Sequence, residues 1–297
     1  MLREKIYPVY DKHYKKSLIF PIIIILLSLV IIGYKYYTTG DFIEKDVSLK
    51  GGISAAVYIE KVVNIDELKS FLESKYPNTD VAIRKLADFS TGKQIGVALE
   101  VTNIKAEELK LSLQEKLQIE LTDENFSVEE VGSSLSQSFY KEILYAIIFA
   151  FVLMGIVIFI IFRSPIPSLT VILCAFTDII ATLAIIDLIG IKLSMGGIAA
   201  FLMLIGYSVD TDILLTTRVL KRKEGVLFDR MYEAAKPGLT MTITTVVAVL
   251  VGYLLATSPV MQQIFLIIFI GGIWDIMNTW ITNAGILYWY CKKRGLT

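Results

Sequence analysis

The chain has 297 residues, 55% of them hydrophobic, with a mean hydropathy of +0.62 and a formal net charge of zero. That composition excludes a wholly soluble protein, and nothing in the charge suggests a nucleic-acid binder. The zero hides an asymmetry: residues 41–138 carry about 11 basic and 18 acidic side chains, a net charge near −7.

Residues 1–17 form a basic arm with Arg3, Lys5, Lys12, Lys15, Lys16 and the single histidine, His13. An apolar run follows over 18–37, long enough to cross a bilayer as a helix. No small-residue cleavage site comes after it, so it reads as an uncleaved anchor. Residues 38–138 lose the apolar character and alternate between two periods. Strands are expected at 46–60, 79–87, 94–102 and near 126–131. Asn64 is placed to cap a helix with Ile65, Leu68, Leu72 and Tyr76 on one face, and 105–120 repeats Leu109, Leu113 and Leu117 at helical spacing. Ser90-Thr91-Gly92-Lys93 reads as a hairpin turn, and Asn125-Phe126-Ser127 matches a glycosylation sequon. The order βαββαβ predicts a ferredoxin-like sandwich.

Five more apolar runs follow, at 139–162, 167–189, 195–219, 237–257 and 261–290, with a basic loop at 220–236 and a short tail at 291–297. The expected fold is a polytopic α-helical membrane protein with six transmembrane helices and one extracytoplasmic α+β domain. Threading from a cytoplasmic N-terminus puts Arg163, the group Lys221, Arg222, Lys223, Arg230 and Lys236, and terminal Lys292, Lys293 and Arg294 all inside. Both termini are therefore expected in the cytoplasm, with the chain in the cell membrane and in contact with its lipid.

Four aspartates, Asp178, Asp210, Asp212 and Asp275, lie inside spans. A carboxylate at mid-bilayer costs roughly 2.5–3.5 kcal/mol, so each needs a partner, water or a function. At 1.5 Å per residue these acids, with Asn278, Thr244 and Thr245, fall at similar depths of roughly 10–23 Å. They therefore point to a proton or cation path, with the two threonine hydroxyls as relays and Lys236 as a candidate counter-ion. Helix glue, with each acid tied to a neighbouring hydroxyl or amide, is the competing reading. Asp210 and Asp212 stand about 200° apart around their helix and cannot face the same neighbour, which hints that six spans are not the whole machine. Gly196, Gly197, Ala199, Ala200, Gly206, Gly271 and Gly272 mark close helix approaches. No phosphate-binding G-x-x-x-x-G-K-[ST] loop is present, and Cys174 and Cys291 match no metal or redox spacing, so neither enzymatic activity nor a cofactor is expected.

Several stretches together resemble the SecD/SecF export family, in its SecF branch of archaeal type. They are Leu49-Lys50-Gly51-Gly52, Val131-Gly132-Ser133-Ser134-Leu135, Phe162-Arg163-Ser164-Pro165 with Thr177-Asp178, and Ile205-Gly206-Tyr207-Ser208-Val209-Asp210-Thr211-Asp212. The last is similar to the family's I-G-Y-S-I-N-D run, with the acid one place earlier, so the functional aspartate maps onto Asp210 in the SecD register and Asp212 is the second candidate. The family's histidine before Asp178 is a threonine here, and Lys236 stands near the place of its fifth-span arginine. The resemblance implies a half-transporter of the RND superfamily that pairs with a SecD-like half, acts beside the Sec channel on an exported polypeptide, and uses proton flow. Two alternatives are an RND-type small-molecule exporter half and a non-transporting membrane assembly factor.

Overall fold

The computed structural model describes residues 2–59, 61–88, 91–222, 225–256 and 258–295. Ser90 of the expected turn, Lys223 of the expected basic loop, Glu60, Thr257 and the last two tail residues lie outside it. The chain forms two compact units: 45–145 with 193–195, and the remainder.

The smaller unit opens differently from the expected strand at 46–60. Asp46 accepts the Ser48 N–H at 2.8 Å and so starts a one-turn helix, α3 (Val47–Lys50), which Gly51 ends at φ 88. This local capping wins over strand propensity because it satisfies backbone donors before any partner strand is present. Strand β1 (Gly52–Tyr58) therefore begins later. Asn64 caps α4 (Ile65–Lys75) as expected, its side-chain oxygen accepting from Asp66 and Glu67 N–H at 3.1 and 3.3 Å. Then come β2 (Val81–Ala87), β3 (Gln94–Val101), α5 (Ala106–Leu117) and β4 (Phe126–Val131). All pairings are antiparallel in the order β2-β3-β1-β4, the ferredoxin-like arrangement.

Ile53, Ala55 and Val57 alternate onto the same buried face as Val97, Leu99 and Val101, and Leu68, Leu72, Leu109 and Leu113 of the two helices close over them. Lys75 and Lys116 both lie over the Phe71 ring, at 5.3 and 5.6 Å, while pairing with Glu115 and Glu67 across α4 and α5. The Asn125 amide is engaged in its own turn, accepting from Thr122 N–H at 2.8 Å and donating to Glu120 O at 2.9 Å.

Burial, reinforced by the nearby Glu100 charge and opposed by the Ser48 hydrogen bond, pushes the Asp46 carboxyl up to about 6. The folded unit then holds a proton more tightly than the unfolded chain. The stabilisation is complete below about pH 4, shrinks as pH rises through 4–6, and is gone above that. Asp46→Asn, which keeps the cap but cannot titrate, should flatten a pH dependence on the order of 3 kcal/mol in hydrogen exchange at β1. An unchanged pH profile in that variant refutes the assignment.

The larger unit holds α1 (Leu2–Ser17), α2 (Ile19–Thr39), most of α6 (Ser133–Phe162), and α7 (Pro165–Ile189), α8 (Met195–Lys221) and α9 (Leu227–Leu255). It ends with α10 (Pro259–Met277), a π-helical turn over Asn278–Asn283 and α11 (Ala284–Lys293), which run as one element. Among the described residues, six helices are long and apolar enough to span a membrane. The basic arm is itself helical, so α1 leads almost directly into α2. Most of the expected loop at 220–236 is helix too: α8 runs to Lys221 and α9 starts at Leu227, with Pro237 inside it.

The reason lies in packing. Leu227, Met231 and Ala234 on one face of α9 are buried with Tyr14, Leu215, Val219, Leu287 and Tyr288. Arg230, buried at the same place, donates from Nη1 to Arg222 O at 2.8 Å and Val219 O at 3.2 Å. It thus satisfies carbonyls at the C-terminus of α8, where a cation is favoured. Arg230→Ala is expected to cost about 2–3 kcal/mol, read as a lower melting temperature in detergent, with Arg230→Lys recovering part of it.

Close approaches occur where small residues were noted, and at others. A Cβ on Gly271 would stand 2.4 Å from Leu204 Cδ2, and one on Gly238 would stand 2.7 Å from Trp280 Cζ2. Gly206, by contrast, faces open space.

Candidate functional site

Three of the four candidate aspartates come together, and the fourth does not. Asp178 on α7, Asp212 on α8 and Asp275 on α10 are 1%, 0% and 0% exposed. Asp178 is held on both oxygens: Ser208 Oγ of α8 donates to Oδ2 at 2.6 Å, and Asn278 Nδ2 donates to Oδ1. Asp275 accepts weakly from Thr242 of α9 at 3.4 Å and from Thr279 at 3.3 Å. Asp212 accepts from Asn283 Nδ2 at 2.7 Å on Oδ1, while its Oδ2 is buried without a hydrogen-bond partner among the described residues, as is Asn283 Oδ1. Asp178, Asp212 and Asp275 are close enough to act on one another electrostatically.

The π-helical turn assembles this network. Asn278, Thr279, Thr282 and Asn283 of this turn are all buried, with Asp275 just ahead of them. Such turns are rare and concentrate at functional sites. Asn278 is held in place by Thr282, whose hydroxyl donates to Asn278 Oδ1 at 3.2 Å. The sequence pattern points to Asp275 and Asn278 but not to Thr279, Thr282, Asn283 or Ser208. The first three carried a signal, because Asp275, Asn278, Thr279, Thr282 and Asn283 follow the spacing i, i+3, i+4, i+7, i+8 of one helix face.

The structure departs from the expected constellation at Asp210, Thr244 and Lys236. Asp210 is exposed on the side of α8 away from Asp212, on a face shared with Ala199, Met203 and Gly206. Thr244 is exposed, and its hydroxyl donates back to Thr240 O and Met241 O of its own helix, both at 2.8 Å. Lys236 is exposed one turn before Thr240, and Thr245 is half-buried. The physical reason is helix rotation. Depth along a span places these residues at one level, but only packing decides which side of the helix turns inward. On α9 it is Thr242 that does so.

Chemically, the network offers three carboxylates, two primary amides and several hydroxyls in a water-poor interior. Carboxyls, amides and hydroxyls in such a network can hold and exchange protons. The fold and this network together define a class: a polytopic helical membrane protein with a single ferredoxin-like domain inserted after its first span and acids shared among its later ones.

Comparison with known proteins narrows the class. The model of the family described as protein export membrane protein SecD/SecF, C-terminal, matches residues 113–293. The protein-export membrane protein SecF of Pyrococcus furiosus is 36% identical over 295 residues, covering 99% of this chain and 97% of that one. Its counterpart in Methanocaldococcus jannaschii is 37% identical over 288 residues, covering 95% and 97%. Among solved structures, SecDF of Thermus thermophilus, a translocon-associated membrane protein, superposes with a TM-score of 0.74 at 17% identity. That match takes in 95% of this chain but only 38% of the length of SecDF. The chain belongs to the SecF family of protein-export membrane proteins.

Proposed function

We propose that this chain is the SecF half of a membrane assembly that assists export of polypeptides through the Sec channel, and that protons passing through Asp212, Asp178 and Asp275 drive it. Its companion is a SecD-like half. The reading sets the assembly in the cell membrane, with both termini in the cytoplasm and the acidic ferredoxin-like domain on the outside, where cargo emerges.

One observation carries the proton step: Asp212 Oδ2 is buried in a span without a hydrogen-bond partner, facing a network of exchangeable groups. Both oxygens of Asp178, by contrast, are satisfied. One charge crossing 100 mV is worth about 2.3 kcal/mol, enough to bias a two-state movement. Asp210 belongs in this reading to the surface that the companion half covers, since an exposed carboxylate facing lipid carries the cost given above. Lys236 and Thr244, also exposed, fit that surface better than the relay, and Thr245 lies between the two.

The doubly satisfied Asp178 favours a second reading, a scaffold in which the acids only tie helices together. A small-molecule exporter fits less well, because the interior of the ferredoxin-like domain is filled by its own apolar side chains. The test is reconstitution with the SecD-like half and the channel, following export of a secretory polypeptide with and without an imposed pH gradient. Gradient-stimulated export supports the proposal. Export that ignores the gradient leaves the scaffold, and failure of the SecD-like half to co-purify removes the pairing.

A further inference from the structure

Residues of α1 and α11 line an open hollow of about 460 Å³, with Lys12, Lys15, Lys292 and Lys293 around Asp11 and Trp289. Its volume is within the range of small-molecule sites. Four ammonium groups face a single carboxylate, leaving three positive charges. That carboxylate is already committed, since Asp11 Oδ1 accepts from Tyr288 OH and from Lys292 Nζ, both at 2.7 Å. Lys293 lies over the Trp289 ring at 5.3 Å, which gives the cavity a stiff aromatic wall. The four lysines are exposed, and the hollow gathers their positive charge at one open surface.

Position in the fold identifies the anion. The lining residues stand just before the apolar run of the first span and at the end of the sixth, so the cavity lies at headgroup height whichever side of the membrane it faces. Trp and Tyr prefer that level. Basic pockets between spans at a membrane surface suit phosphate-bearing headgroups. Below the cavity the chain continues into α2, whose Ile19, Ile22, Ile23 and Leu26 are exposed and offer an apolar track for acyl chains. A free phosphate would make no use of that track. We propose that this cavity binds the phosphate of an anionic phospholipid headgroup, an annular lipid held by its charge.

Native mass spectrometry of the full chain purified in detergent tests the idea, with phosphatidylglycerol and phosphatidylcholine as probes. Phosphatidylglycerol should be retained at least about tenfold more strongly. At roughly fivefold per lysine, the triple variant Lys12→Gln, Lys15→Gln, Lys293→Gln should lose that preference, and the corresponding triple Arg variant should keep it. Equal retention of the two lipids overturns the proposal, as does a Gln triple that binds like the parent or an Arg triple that fails with it. Displacement of phosphatidylglycerol by inorganic phosphate makes the ligand a free anion and overturns the lipid assignment.

Discussion

Asp212→Asn is expected to abolish the response of export to a pH gradient, a fall of at least about tenfold to the unstimulated rate, while leaving the protein folded and assembled. The substitution keeps shape and keeps an acceptor for Asn283 Nδ2, which now lies 2.7 Å from Asp212 Oδ1. It also turns Oδ2, which has no partner among the described residues, into an N–H₂ donor, and Asn283 Oδ1 is likewise buried without a donor among them. Pairing those two groups should stabilise the bundle by about 1 kcal/mol. The relay and scaffold readings therefore separate on two axes. If the acid carries protons, stability holds or rises while coupling disappears. If it is glue, the amide substitutes for it and the gradient response of the assembly survives. Asp210→Asn, on the exposed side of the same helix, is expected to leave the network intact and to weaken co-purification with the companion half. A gradient response unchanged in Asp212→Asn would remove this site from the mechanism.

Gly96→Ala should be the most destabilising single methyl addition in the ferredoxin-like domain. Gly96 sits in β3 opposite Tyr58 of β1, and a Cβ there would stand 2.2 Å from the Val57 carbonyl oxygen. The obstacle is backbone within an antiparallel ladder, not the end of a flexible side chain, so relief requires the two central strands to part. Overpacking of this kind costs about 1–3 kcal/mol and more where nothing yields. The expected result is a loss of about 3 kcal/mol or more, read as faster hydrogen exchange across β1 and β3 while amides of the membrane spans keep their protection. Normal protection in the sheet would mean that the strands separate more easily than this geometry allows.

Much of the fold was legible because it rests on local signals. Runs of apolar residues long enough for a bilayer marked the spans, and alternation at periods of 2 and 3.6 marked the elements of the ferredoxin-like domain. The depth argument brought Asp178, Asp212 and Asp275 to one level. Less legible was anything that depends on a second element. The start of β1 moved because Asp46 captured its own backbone, and the supposed loop after α8 became helix because Leu227, Met231 and Ala234 found a buried face beside Tyr14 and Tyr288. The family motif drew attention to Asp210, whereas the packed bundle turned Asp212 inward.

By itself, then, the amino-acid order determined the spans, the inserted domain with its strand sequence, and the presence of acids at membrane depth, because hydropathy and periodicity act within a segment. Only the tertiary structure decided which acids meet. That choice depends on the rotation of each helix about its axis, set by contacts such as Leu204 against Gly271 and Trp280 against Gly238. It depends also on the π-helical turn at Asn278–Asn283, which directs a row of amides and hydroxyls at carboxylates from other helices. A carboxylate buried away from water is stable only where partners from several elements reach it at once, and that is a property of the assembled bundle.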